Sequence, residues 1–265
     1  NSRLMSRIMR SAYDLGSLIM QHAEDIDLAE NGTVNDGIIS TKLGLQGITE
    51  LAEKIIIERD LSLLEDFNCR YHISQISSAK SIEVIKKRKD EVNFTTGVSI
   101  NNLSLNENDI GDFRTFLKLS PPLRTEDDRL SLVEALNKNL IDVIVSDHKP
   151  EDEESKRLTF AQAATGASGV ETLLPLALEL YHNESVKLFK IIETLTNNPA
   201  KILNIDKGNL STGNDADFCV VDINKPWIVK KEKLISKSKN TSIENKKLQG
   251  KVLNTYIKGV ELYKL

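Results

Sequence analysis

Short apolar runs that stop abruptly at charged or hydrogen-bonding residues, each set apart from the next by a helical stretch, constrain this chain more than any single motif does. Residues 141–145 read as a buried strand that ends at Ser146, Asp147 and His148. Residues 18–22 form a second apolar run, closing on Gln21, His22, Ala23, Glu24 and Asp25. Residues 71–76 and 94–100 are also strand-like. Between them lie segments with apolar residues at helical spacing: 3–20 (Leu4, Ile8, Ala12, Leu15, Ile19), 47–67, 79–89 and 125–139. Strand and helix in alternation build a parallel sheet with crossover helices. Strands that end in polar groups are the expected look of an active-site edge. Four such strand ends can be counted. A closed barrel of this kind needs about eight, so the reading is α/β, with about half of a barrel in hand.

Beyond Gly169 the spacing predicts helices over 171–182 and 186–195, then a short one starting near Asn197, Asn198, Pro199 and Ala200. From Gly208 the character changes. Residues 208–210, 213–217, 218–221 and 252–257 read as short antiparallel strands with turns. Residues 230–247, rich in lysine, serine and asparagine with acids interleaved, read as a solvated loop. The division drawn from this is a larger unit over 1–205 and a small β unit over 206–265.

Charged residues make up 28% of the chain, yet the net charge is only −4. That balance leaves no basic footprint for nucleic acid or an anionic membrane. No apolar run approaches the length of a membrane span. A small molecule or a protein is the expected partner. Cys69 and Cys219 lie far apart and outside any CxxC spacing, so they read as buried thiols in a reducing cytoplasm. The chain opens at Asn1 straight into a helical pattern with no secretory leader, which suits a partial reading frame.

Asp147, at the end of its strand, carries the strongest local signal. A carboxylate there can hold a metal and take a proton from water, or merely cap the following turn. His22 is a strand-end imidazole, the side chain most often found as a neutral metal ligand. In the run Arg70, Tyr71, His72, Ile73, Ser74, Gln75, alternation puts His72 and Ser74 on one face and Ile73 and Gln75 on the other. His182 reads as a surface residue. Phosphate-binding glycine loops and the GxSxG nucleophile elbow have no counterpart here.

Several strings taken together resemble the dihydroorotase family of amidohydrolases. They are HAED at 22–25, YHISQIS at 71–77, KLSPPLR at 118–124, SDHKP at 146–150 and GVETLLPL at 169–176. The resemblance runs over nearly the whole chain. It implies the C-terminal half of a (β/α)8 metal-dependent hydrolase barrel plus part of a small β-sandwich. It also implies one or two zinc ions and reversible hydrolysis of the cyclic amide of dihydroorotate to carbamoyl aspartate. His22 matches a ligand of the second zinc. Asp147 matches the ligand that serves as general base and then general acid. The first zinc's HxH pair and carboxylated lysine match nothing in this chain. Other matching positions have changed: Gln75 stands at a ligand histidine, Ser120 at a substrate-binding asparagine, and Glu151 at a histidine that meets the substrate carboxylate. His148 is a further substrate-side candidate. The resemblance therefore carries an alternative, a non-catalytic subunit that supports aspartate carbamoyltransferase, and it implies a homo-oligomer.

Overall fold

The structure, a computed structural model, describes residues 1–265. Helix α1 (Ser2–Leu15) is capped by the Asn1 side chain, which accepts from the Leu4 N–H, and it ends at Gly16. Gly16 has φ 62°, the left-handed geometry that closes a helix and that glycine adopts without a steric penalty. This is why the helix stops five residues short of the predicted end and leaves residues 18–21 free to form strand β1 (Leu18–Gln21).

Three β/α repeats follow. Helix α2 (Leu51–Phe67) leads to β2 (Arg70–Ile76), then α3 (Ala79–Arg88) to β3 (Thr95–Ser99), and the short α4 (Ile100–Ser104) and longer α5 (Glu126–Asn137) to β4 (Val143–Val145). The four strands form one parallel sheet in chain order, β1-β2-β3-β4. Consecutive order in a parallel sheet places every crossover helix on the sheet face and every strand's C-terminal end along one edge.

Burial explains the departures from simple alternation. Tyr71, His72 and Ile73 are consecutive and all buried, because an inner strand of a covered parallel sheet has no solvent face. Helix α2 contributes Ala52, Ile56, Ile57, Leu61 and Leu64 to the core, at the i, i+4 spacing of one helix face. Strand β4 begins at Val143 rather than 141, since Asp142 accepts the Thr96 N–H at 2.8 Å and the Lys89 ammonium at 3.1 Å.

A buried polar layer lies under the strand ends. The Glu53 carboxylate accepts the backbone N–H groups of Ser77 (3.0 Å) and Ser78 (3.2 Å) and the Ser77 hydroxyl (2.5 Å). Arg124, only 3% exposed, donates to Ser77 Oγ, Asn35 Oδ1 and the Ile48 carbonyl. The arginine of the PPLR string is thus a strut that fixes the turn after β2.

Past residue 170 come α6 (Leu173–His182), α7 (Leu188–Leu195) and α8 (Asn197–Leu203), then an antiparallel meander of β5 (Phe218–Ile228), β6 (Lys247–Ile257) and β7 (Val260–Lys264). The predicted solvated loop over 230–247 is overturned in its second half. Asn240, Thr241 and Ser242 are 4%, 0% and 4% exposed, and Leu234, Ile243 and Leu248 join the same hydrophobic cluster as the sheet and its helices. Small polar residues read as solvent-facing, yet here their hydrogen bonds are met inside the protein. Two other expectations change. Cys219 is exposed, and the His182 imidazole is engaged by the Ile223 carbonyl at 2.9 Å. No helix is long and apolar enough to cross a membrane.

Candidate active site

Two groups of side chains meet along the C-terminal edge of the sheet. In the first, Gln75 Nε2 donates to Asp147 Oδ1 at 2.8 Å, and Ser99 Oγ lies 3.4 Å from Asp147 Oδ2. The fold brings these together from three strands: Gln75 is the penultimate residue of β2, Ser99 closes β3, and Asp147 follows β4 by two residues. The β2–β3 register shifts between Ile73 and Ile76, the span that contains Gln75, so simple alternation no longer decides where its side chain points. Asp147 itself sits at φ 50°. A left-handed backbone at a non-glycine residue costs on the order of 1 kcal/mol, and such positions collect at functional sites.

The second group is a pair. His22 Nε2 lies 3.2 Å from Ser120 Oγ, and both side chains remain accessible. The other two sequence candidates join neither group through a hydrogen bond. His148 Nδ1 accepts the backbone N–H groups of Gly169 (3.1 Å) and Val170 (3.4 Å), which pins the imidazole to the turn before α6. Glu151 is held by its backbone: its N–H donates to Asn240 Oδ1 at 3.3 Å and its carbonyl accepts from Ser238 Oγ at 2.6 Å. It lines a polar cavity of about 750 Å³ with Lys156 and Lys231, and neither Asp147 nor Gln75 borders that cavity.

His72 belongs to the core. It is 2% exposed, its Nδ1 lies 2.8 Å from Thr95 Oγ1, and it lies three residues before Gln75 in β2. Burial pushes its pKa down to about 4, Lys89 pushes the same way, and Asp142 opposes both. A neutral buried imidazole is what such a position selects.

Zinc centres use three or four protein donors, chiefly His, Cys, Asp and Glu. No group of three such side chains is assembled anywhere in the chain. Both oxygens of Asp147 already face neutral donors, and His22 faces a hydroxyl. The residues present do not by themselves fit a zinc ion.

Ser99 went unrecognised in the sequence, although it is the polar residue that closes an apolar strand, the signal that singled out Asp147. Asn240 has no such signal. It meets the chain after β4 from a segment about ninety residues away: its Oδ1 accepts the Glu151 N–H, its Nδ2 donates to the Gly166 carbonyl at 3.0 Å and its backbone carbonyl accepts the Ser168 N–H at 3.1 Å.

A parallel sheet whose strand ends gather a carboxylate, an amide and a hydroxyl defines an α/β protein with its chemistry at the C-terminal edge. The family model described as the amidohydrolase family matches residues 1–262, and the chain belongs to that family. Among curated proteins it is similar to a dihydroorotase of Ehrlichia canis (strain Jake), with 41% identity over 99% of this chain and 59% of that protein. A dihydroorotase of Anaplasma phagocytophilum (strain HZ) is 38% identical over 100% of this chain and 60% of that protein. The chain thus spans about three fifths of the length of the curated relatives it matches. Its fold is that of an L-hydantoinase (dihydropyrimidinase) from Arthrobacter aurescens, with a TM-score of 0.88 and 24% identity over 100% of this chain and 61% of the other. The dihydropyrimidinase from Brevibacillus agri NCHU1002 gives a TM-score of 0.86 and 21% identity over 98% of this chain and 59% of the other.

Proposed function

We propose that this chain is the C-terminal part of a dihydroorotase, which opens the cyclic amide of dihydroorotate to carbamoyl aspartate and closes it again. The observation that carries the reading is Asp147: a carboxylate just past the C-terminal end of β4, the last strand of the parallel sheet, set in a left-handed turn and oriented through both oxygens by Gln75 and Ser99. The names of the relatives supply the reaction and favour it over the role of a silent partner for aspartate carbamoyltransferase.

In this reading the four parallel strands are the last four of a (β/α)8 barrel, residues 1–205 are the barrel part, and 206–265 complete a small β-sandwich. Asp147 takes a proton from the attacking water as the new C–O bond forms at the ring carbonyl. It then gives that proton to the ring nitrogen as the C–N bond breaks. Ring closure runs the same transfers in reverse. Gln75 and Ser99 aim the carboxylate, each through a hydrogen bond to one of its oxygens. Ser120, beside His22, and His148, at the turn before α6, face the substrate side. Glu151 stands where the resemblance implies a carboxylate-binding histidine, but its side chain borders the separate polar cavity lined by Lys156 and Lys231. Zinc, where the whole protein holds it, depends on ligands beyond those in this chain. The protein acts in the cytoplasm as a homo-oligomer.

The test is product analysis with the complete gene product. Dihydroorotate consumed with an equal amount of carbamoyl aspartate formed supports the reading. Ring opening of a hydantoin with dihydroorotate left intact, or no ring opening at all, overturns it.

A further inference from the structure

We infer that Gln75 occupies the place of a cation at Asp147, so that the edge bearing His22, Gln75 and Asp147 is a hydrogen-bonded carboxylate clasp and holds no metal of its own. The inference rests on Asp147 being the reacting carboxylate proposed above.

The orientation of the Gln75 amide follows from electrostatics. Its terminal atom lies 2.8 Å from Asp147 Oδ1. Were the amide turned over, two oxygen acceptors would face each other at that distance, a contact that the ionised carboxylate tolerates only with a cation between them. With Nε2 toward the carboxylate, the contact becomes a charge-assisted hydrogen bond. Metal coordination through the amide oxygen and the contact present here are therefore mutually exclusive.

Ser99 closes the other side. Its Oγ accepts the Asn101 N–H at 3.2 Å, which leaves its single proton for Asp147 Oδ2 at 3.4 Å. Neutral donors therefore serve both carboxylate oxygens. The remaining ligand candidate, His22, is exposed and paired with Ser120 Oγ. No third His, Cys, Asp or Glu completes a set with these two. Gln75 is accordingly a positioning residue: it supplies the local positive potential and the directional constraint at Asp147 that a metal ion would otherwise give.

Two measurements on the complete gene product, purified without chelator, decide this. The first is zinc content by mass spectrometry for wild type and His22→Ala. His22 is exposed, so its removal leaves the fold intact, and the expected result is an unchanged zinc content. A lower content in His22→Ala makes His22 a metal ligand and overturns the inference. The second is the side-chain amide spectrum by nitrogen-15 NMR, with the Gln75 signals assigned by their loss in Gln75→Leu. Those signals are expected to shift in Asp147→Ala and to stay in place when zinc is added in excess. Movement or broadening on addition of zinc places the amide oxygen on a metal and overturns the inference. Neither readout uses dihydroorotate, so a protein that turns over substrate yet fails these tests loses the clasp and keeps the function.

Discussion

The pH dependence of stability isolates one buried group, His72. Its ordinary pKa of 6.5 is lowered to about 4 in the folded chain, first by burial, with Lys89 adding to the shift and Asp142 opposing it. Below pH 6.5 the unfolded chain binds a proton that the folded chain refuses until about pH 4, so stability is full above 6.5 and is lost as pH falls through that window. Integrating between those two values gives a loss of about 2 kcal/mol on going from pH 7 to pH 5. Urea midpoints measured at both pH values for wild type and His72→Gln extract this contribution. Any cost of the substitution itself appears at both pH values and cancels. Wild type is expected to lose about 2 kcal/mol more than the variant over that interval. An equal loss in the two proteins, or an imidazole that titrates near 6.5 by NMR, refutes the account of a dry, neutral His72.

Other expected outcomes concern the frame around the site. Arg124→Met leaves the buried Glu53 carboxylate without its nearby cation and strips donors from Ser77, Asn35 and Ile48. It is expected to cost about 3–5 kcal/mol by thermal unfolding. Gly97→Ala sets a Cβ 2.4 Å from the Ser74 carbonyl oxygen, a backbone atom that cannot yield without moving β2. A loss of about 1–3 kcal/mol is expected, and an unchanged melting temperature contradicts the packing described. Asn240→Leu removes the acceptor for the Glu151 N–H and the donor to the Gly166 carbonyl. Faster amide hydrogen exchange at Glu151 is the expected sign, with exchange in β2 unaffected.

The strand ends were the most legible part of the sequence, because an apolar run that stops at a polar group signals both burial and a functional edge. Asp147 is at such an end, and the parallel sheet follows from the alternation of strands with helices. The helix over 3–20 was overextended because the apolar spacing of α1 continues through β1; only the left-handed Gly16 separates them. The destination of Gln75 was not legible. It depends on a register shift in β2 that no local pattern encodes. The segment around Asn240 misled for another reason. Its composition is that of a solvated loop, and only tertiary contacts reveal that it staples the chain after β4 to the C-terminal meander. Glu151 shows the limit of motif position as a guide, since its backbone is anchored to that staple and its side chain borders a separate cavity.

The most direct test of the central claim, that Asp147 is the proton-transferring group, is the rate of dihydroorotate ring opening by the complete gene product and by its Asp147→Asn variant. Asparagine keeps an acceptor for Gln75 or Ser99 and loses the basic oxygen. The expected result is a fall in kcat of about two to four orders of magnitude with the fold intact by circular dichroism. A variant that turns over at the wild-type rate contradicts the account.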